Sequence, residues 1–381
     1  ECVQCRFGPI TAHALARQGW PGLLAAMLLT PAWQWPTAPA LDAVPDWFWG
    51  DYAAWLFASP EILTEPGQGE VYAAQFEPRQ AELVRWVERN LGAAAVRTAL
   101  ENYLRSADFA SLRVGSADLR RQAELHARLL TRSVRKTSGG YDQFASLRAG
   151  RRLRVGFVLD GFDTQAASLA TLPLFEQLET ERFEVDCFVL RAVDVVTEQH
   201  TRQRVKRFHV LPAGLSEQLS ALWAAGLDVV VFASALAGAT DGVARLAAHR
   251  VAPLQVATSA TNFNSTGFPE IDLFVTGASS SHAATVDQFN ERLAFVSGPV
   301  RTFNGELVVE TANVAIARAD LGLPENAVVL AAVMDFSEVS PETRQAWARL
   351  LGVIPQAFLL VHPGTSEAAT RCPAGRFSAE F

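Results

Sequence analysis

Residues Leu153–Asp160 read LRVGFVLD, an apolar run that closes on a carboxylate. A strand covered on one face alternates apolar and polar residues, whereas a parallel strand covered on both faces runs continuously apolar. This stretch is of the second kind. The same reading repeats downstream. FEVDCFVL (Phe183–Leu190), a short strand near Phe208–Leu211, DVVVFAS (Asp228–Ser234) and PLQVATS (Pro253–Ser259) are strands. IDLFVTG (Ile271–Gly277) and LAFVSG (Leu293–Gly298) continue the series. Helical spacing between them falls at Leu172–Glu181, Thr197–Arg207, Ser216–Ala225 and Gly242–His249. Strand and helix in alternation imply a parallel sheet with helices on both faces, a Rossmann-like α/β lobe.

Upstream the period is helical. Ala81–Leu91, Ala93–Leu104 and Asp118–Val134 carry apolar residues three and four apart. Residues 1–149 hold seven of the nine tryptophans. The aromatic segment WFWGDYAAWLF (Trp47–Phe57) reads either as a stacking surface for sugars or bases or as a packed helix core, and packing is the preferred reading. Ser138–Gly140, followed by RAGRR, marks a boundary. Downstream, a second unit starts near Asn326: AVVLAAVMDF as strand, Pro341–Leu351 as a helix opened by proline, AFLLVHP as strand. Three divisions follow: a helical region 1–149, a Rossmann-like lobe 150–315, and the beginning of a second lobe, 316–381. A complete lobe of this kind takes ~120–180 residues. The chain opens at Glu1 without methionine and ends at Phe381 in mid-pattern, so a fragment is expected.

Composition narrows the function classes. Of 381 residues, 49% are apolar and 19% charged, and the net charge is −7. A large core is available, and no basic stripe exists for nucleic acid. Arg132–Lys136 and Arg202–Arg207 have the spacing of solvated helix faces. The most apolar N-terminal stretch, Leu23–Leu29, is too short to span a bilayer. Cys2 and Cys5 form a CxxC without a second ligand pair, so no metal site is expected. Cys187 and Cys372 read as single reduced thiols, which suits a cytoplasmic setting. His200, His209, His249 and His282 read as structural. Glycines 156 and 161 do not make a dinucleotide fingerprint, and P-loop, GxSxG and HExxH motifs are absent.

One loop stands apart. SATNFNSTGFPEID (Ser259–Asp272) follows a buried strand and is rich in hydroxyl and amide side chains. Its place off a parallel strand's C-terminal end suits a ligand, and its composition equally suits a loop that satisfies its own backbone.

Here the sequence resembles a family. HRVAPLQVATSATNFNSTGFPEIDLFVTG is similar to the N-lobe segment of the O-linked N-acetylglucosamine transferase and SPINDLY-like glycosyltransferases. The matching residues are Arg250, Ala252, Pro253, Gln255, Val256, Ser265, Thr266, Gly267, Ile271 and Asp272. RVGFVLDGF, QFNERLAFVSG and the stretch from LGLPENAVVL to AFLLVHP match in the same order, over about residues 152–381. WLFASPEIL and GEVYAAQ resemble, more loosely, a bacterial branch.

The resemblance implies a two-lobed GT-B fold and transfer of N-acetylglucosamine or glucose from a UDP-sugar to a protein acceptor. It implies no metal and no cofactor beyond the donor. Asp160, Asn264, Ser265, Thr266, Gly267 and Asp272 fall on its substrate side. Its departures bear on catalysis. Gln165 stands where the family carries a histidine near the reaction centre, and Leu236–Gly242 lacks the family's Gly-His-Thr. Glu338 occupies the place of a lysine that contacts the diphosphate, and no lysine occurs after Lys206. A carboxylate there repels charge developing on UDP, where an ammonium stabilises it. The Thr-rich diphosphate loop is expected beyond Phe381. An active transferase is the first reading. A catalytically degenerate binding or scaffold protein is the second, and an unrelated two-lobed enzyme such as an epimerase is a weaker third.

Overall fold

The computed structural model describes residues 17–35, 40–60, 62–115, 117–134, 151–162, 166–278, 286–302 and 316–362. Two compact units emerge. One comprises Glu1–Arg79, Ser106–Ala117 and Val309–Phe381, the other Gln80–Arg105 and Asp118–Val308. The helical residues expected as one region, 1–149, therefore contribute to both.

The second unit is built on seven parallel strands. They are β1 (Leu153–Leu159), β2 (Phe183–Val189), β3 (Arg207–Val210), β4 (Val229–Phe232), β5 (Leu254–Thr258), β6 (Leu273–Gly277) and β7 (Arg292–Val296). Their order across the sheet is β3-β2-β1-β4-β5-β6-β7, all parallel. Alternate residues feed two cores. Val155, Phe157, Leu159, Cys187, Val189, Val231 and Val256 join Leu172 and Phe175 on one face. Leu172 and Phe175 come from α6 (Ala166–Glu176). On the other face Val158, Phe188, Val230, Phe232, Ala257 and Phe274 meet Leu219, Leu222, Val243, Ala244 and Leu246. The latter belong to α8 (Leu215–Ala225) and α9 (Gly242–Ala247). Burial of both faces explains why the strands read as unbroken apolar runs.

That second core also takes Ala127, Leu130 and Val134. They lie on α5 (Arg120–Val134), a helix from the N-terminal half of the chain. With α4 (Ala94–Ser106) and the end of α3 (Gln68–Arg89), it belongs to the sheet's compact unit.

The first unit packs α1 (Trp20–Leu29), α2 (Trp49–Leu56) and α3 up to Arg79 around aromatic rings. Trp35 meets Trp55 edge-on at 5.3 Å, and Phe76 meets Phe57 at 5.9 Å and Phe109 at 5.8 Å. The Trp55 indole N–H donates to the Thr30 carbonyl at 2.9 Å. The aromatic segment is thus a packed interior, with Trp47 left at the surface. The same unit contains β8 (Val328–Val333), α10 (Pro341–Val353) and β9 (Ala357–His362), where β8 and β9 pair in parallel. Pro341 opens α10, and Ser340 Oγ accepts from Thr343 N at 3.0 Å as its cap. Ile62 packs with Phe336, Val339, Trp347 and Val361, and Arg344 donates to the Leu63 carbonyl.

Candidate functional site

In an open parallel sheet the ligand crevice lies off the C-terminal strand ends, where the strand order reverses. Here the chain runs from β1 outward to β2 and β3, then returns to β4 on the other side of β1. The crevice is therefore at the ends of β1 and β4. Asp160 follows β1 directly. Its carboxylate accepts from Arg191 Nε at 2.6 Å, and its carbonyl accepts from Arg191 N at 2.9 Å. From β4 the chain passes through Ser234–Thr240 to Asp241, whose Oδ1 accepts from Ala244 N at 2.8 Å and caps α9. Asp241 is exposed as a residue, while its carboxyl is partly desolvated by the atoms around it. That burial pushes its pKa above the ordinary carboxylate value. The Ala244 N–H opposes the rise, and the negative charge of Asp160 adds to it.

The β4–α9 loop is held from two directions. Asn262, buried, accepts from Leu236 N at 2.8 Å and donates to the Ser234 carbonyl at 3.3 Å. His126 of α5 meets the Ala239 carbonyl through Nε2 at 2.9 Å. Of the two, only Asn262 has a signal in the sequence, as an amide just past a buried strand; His126 has none, because it acts on a partner remote along the chain.

The loop Ser259–Asp272 crosses from the C-terminal edge of the sheet to its N-terminal edge. Asn262 and the exposed Phe263 lie near the end of β5, and the Arg301 guanidinium sits 5.9 Å from the Phe263 ring centroid. Asn264 is half-buried and donates to the Ser265 carbonyl at 3.2 Å. Ser265 and Thr266 are buried, and both turn onto Glu291, the residue just before β7. Ser265 Oγ donates at 2.8 Å, Thr266 N at 2.7 Å and Thr266 Oγ1 at 2.5 Å. Gly267, at φ +77°, lies against the Ala123 backbone of α5. Asp272 precedes β6, at the sheet edge opposite the crevice, and accepts from Arg250 Nη1 at 2.5 Å and Gln255 N at 2.8 Å. Gln255 in turn accepts from Val251 N at 2.6 Å. It donates to the carbonyls of His249 and Glu270 at 3.2 and 3.1 Å. The matched motif residues Arg250, Gln255, Thr266, Gly267 and Asp272 thus form an internal clasp. Of the expected substrate-side residues, Asp160 borders the crevice, while Ser265, Thr266, Gly267 and Asp272 face partners within the fold.

Glu291→Gln tests the clasp. The amide keeps one acceptor and loses the charge, so the hydrogen bonds weaken from charge-assisted to neutral. A loss of about 1–2 kcal/mol in urea unfolding is expected. Unchanged stability would remove Glu291 from the role of organising the turn.

Gln165 lies outside the described residues, as do Cys2, Cys5, Cys372 and His282. Glu338 is exposed on a short 3-10 turn ahead of α10, in the first compact unit. His200 pairs with Glu176, His209 stacks on Phe188 at 4.6 Å, and His249 Nδ1 meets the Arg245 carbonyl at 2.9 Å. Among the described residues no group of three or more His, Cys, Asp or Glu is placed to hold a metal ion. None of their helices is long and apolar enough to cross a membrane.

Comparison with known proteins agrees with this architecture. No protein-family profile matches the chain. It is 26% identical over 226 residues to the probable UDP-N-acetylglucosamine–peptide N-acetylglucosaminyltransferase SEC of Arabidopsis thaliana. That match covers 57% of this chain and 23% of the plant protein's length. A lysine-to-methionine mutant of the Thermobaculum terrenum O-GlcNAc transferase has a similar fold. The TM-score is 0.55 with 19% identity, over 97% of this chain and 70% of that one. The motifs in their order, the seven-stranded parallel lobe and the βαβ unit of β8, α10 and β9 make the chain similar to the O-linked N-acetylglucosamine transferase and SPINDLY-like glycosyltransferases, and its α/β fold is of the GT-B type.

Proposed function

We propose that the protein is a glycosyltransferase that moves N-acetylglucosamine or glucose from a UDP-sugar to a protein acceptor in the cytoplasm, without a metal or further cofactor. The observation that carries this is the reversal of strand order between β1 and β4, with Asp160 and Asp241 at it, in a lobe whose sequence follows the motif order of those glycosyltransferases. In this reading the lobe shapes the acceptor side, with Asp160 and Asn264 nearest the acceptor, and Gln165 takes the sequence position of the histidine that those glycosyltransferases carry near the reaction centre. By the resemblance, the nucleotide side begins with the segment of β8 and α10, in which Glu338 takes the sequence position of a lysine that contacts the diphosphate. The test is incubation with a panel of UDP-sugars and acceptor peptides, read by mass spectrometry for one added sugar and by release of UDP. Neither transfer nor hydrolysis with any donor would overturn the reading.

A second reading has specific support. The crevice loop Leu236–Gly242 has no histidine, and Glu338 replaces an ammonium by a carboxylate. A degenerate transferase fold that binds a protein partner fits both features. Turnover that disappears in Asp160→Ala would reject it.

A further inference from the structure

We propose that His126 is a positioning residue for the crevice. Together with Tyr103 and Gln80 it fixes the orientation of the Ala239–Thr240 peptide in the β4–α9 loop. The inference rests on the reading of the β1/β4 crevice as the working site.

The hydrogen bonds determine their own direction. A carbonyl oxygen only accepts, so His126 Nε2, 2.9 Å from the Ala239 oxygen, carries the proton. In a neutral imidazole Nδ1 is then an acceptor. Tyr103 Oη lies 3.0 Å from it and donates. The tyrosine oxygen accepts in turn from Gln80 Nε2 at 2.7 Å. Gln80 also reaches the Gln122 carbonyl at 3.4 Å. All three side chains are at most 1% exposed. The result is a one-way relay, Gln80 to Tyr103 to His126 to Ala239, in which each donor polarises the next.

Its consequence lies at the far end. Among the described residues every peptide bond is trans. A carbonyl of Ala239 that points at α5 therefore turns the Thr240 N–H the opposite way, away from α5. The rest of the loop permits this setting. Gly238 supplies φ +72°, Ala239 N closes a turn on the Leu236 carbonyl at 3.1 Å, and Asn262 fixes the loop's start. Helices from the N-terminal half of the chain thereby set a backbone donor in the loop that joins β4 to Asp241.

Hydrogen exchange of residues 234–242 tests the assignment in the intact protein. His126→Ala removes the donor to Ala239, and exchange in this loop is expected to accelerate about tenfold, with β1 and β2 unchanged. His126→Gln places an amide N–H near the position of Nε2 and is expected to restore slow exchange. Tyr103→Phe leaves the Ala239 bond in place and gives an intermediate effect. Loop exchange unchanged in His126→Ala, or equally fast in the alanine and glutamine variants, overturns the proposal. Should the alanine variant not fold, the 15N spectrum of the wild-type ring decides: the Nε2–H tautomer supports the relay, and the Nδ1–H tautomer overturns it. None of these readouts depends on sugar transfer. A protein with the expected exchange pattern and no transferase activity sinks the proposed reaction and leaves the positioning role standing.

Discussion

Gly267→Ala is expected to destabilise the sheet-bearing unit by about 4 kcal/mol, a large share of a typical domain's ~5–15 kcal/mol. Two costs add. Gly267 sits at φ +77°, where an L side chain is strained by about 1–3 kcal/mol. Its new Cβ would also stand 2.2 Å from the Ala123 carbonyl carbon, 2.3 Å from that oxygen and 2.6 Å from Glu124 N. These are backbone atoms inside α5, and no rotamer change relieves them. Overpacking of this kind costs about 1–3 kcal/mol where the structure can yield, and a helix backbone yields little. Gly92→Ala is the control: nothing lies within 4 Å of its added Cβ. That variant is expected to stay near neutral or gain up to about 1 kcal/mol from a less flexible unfolded chain. Urea unfolding of both variants measures the contrast. A loss below about 1 kcal/mol at Gly267 would mean that the turn and α5 separate easily, contrary to the clasp.

The contrast between Gly267 and its surroundings also explains what the sequence could reveal. The alternation of strand and helix from Leu153 onward is legible because both sheet faces are covered, leaving continuous Val, Phe and Leu runs. β1, β2 and β4 fall within one or two residues of their expected ends. Prolines blurred two helices. The spacing predicts a helix from Ala81, but α3 begins at Gln68 and carries Pro78 within it. The helix expected from Leu172 begins at Ala166 and carries Pro173. Proline removes one N–H and crowds one carbonyl, yet packed apolar faces on either side can hold such a helix together. The site was legible as a place and less so as a set of residues. Asp160 follows β1 directly and could be read from position alone. The hydroxyls of Ser265 and Thr266 invite a ligand until Glu291, remote in sequence, is seen to take them. His126 pairs with Ala239 across 113 residues, a distance at which neither periodicity nor motif spacing carries a signal.

Acid is expected to destabilise the wild type by about 3 kcal/mol more than His126→Gln between pH 7 and pH 4. Burial lowers the His126 pKa from its ordinary 6.5 to about 4, and the Ala239 carbonyl opposes the shift only in part. Between those two values the unfolded chain binds a proton at this residue and the folded protein does not. The stability associated with the neutral ring is thus complete above about pH 6.5 and declines as the pH falls toward 4. The groups packed on the ring do not mask this. Tyr103, its pKa raised by burial, keeps its proton throughout, and Gln80 and Gln122 do not titrate. Carboxylates elsewhere act in both proteins and cancel in the difference. The measurement is chemical unfolding of wild type and variant at pH 7, 5.5 and 4, with the gap between the two followed across the series. Parallel curves would mean that His126 can take a proton where it sits. That would require an acceptor or water at Nδ1 in place of the Tyr103 hydroxyl, and the relay that holds the crevice loop would then not be the one described by these distances.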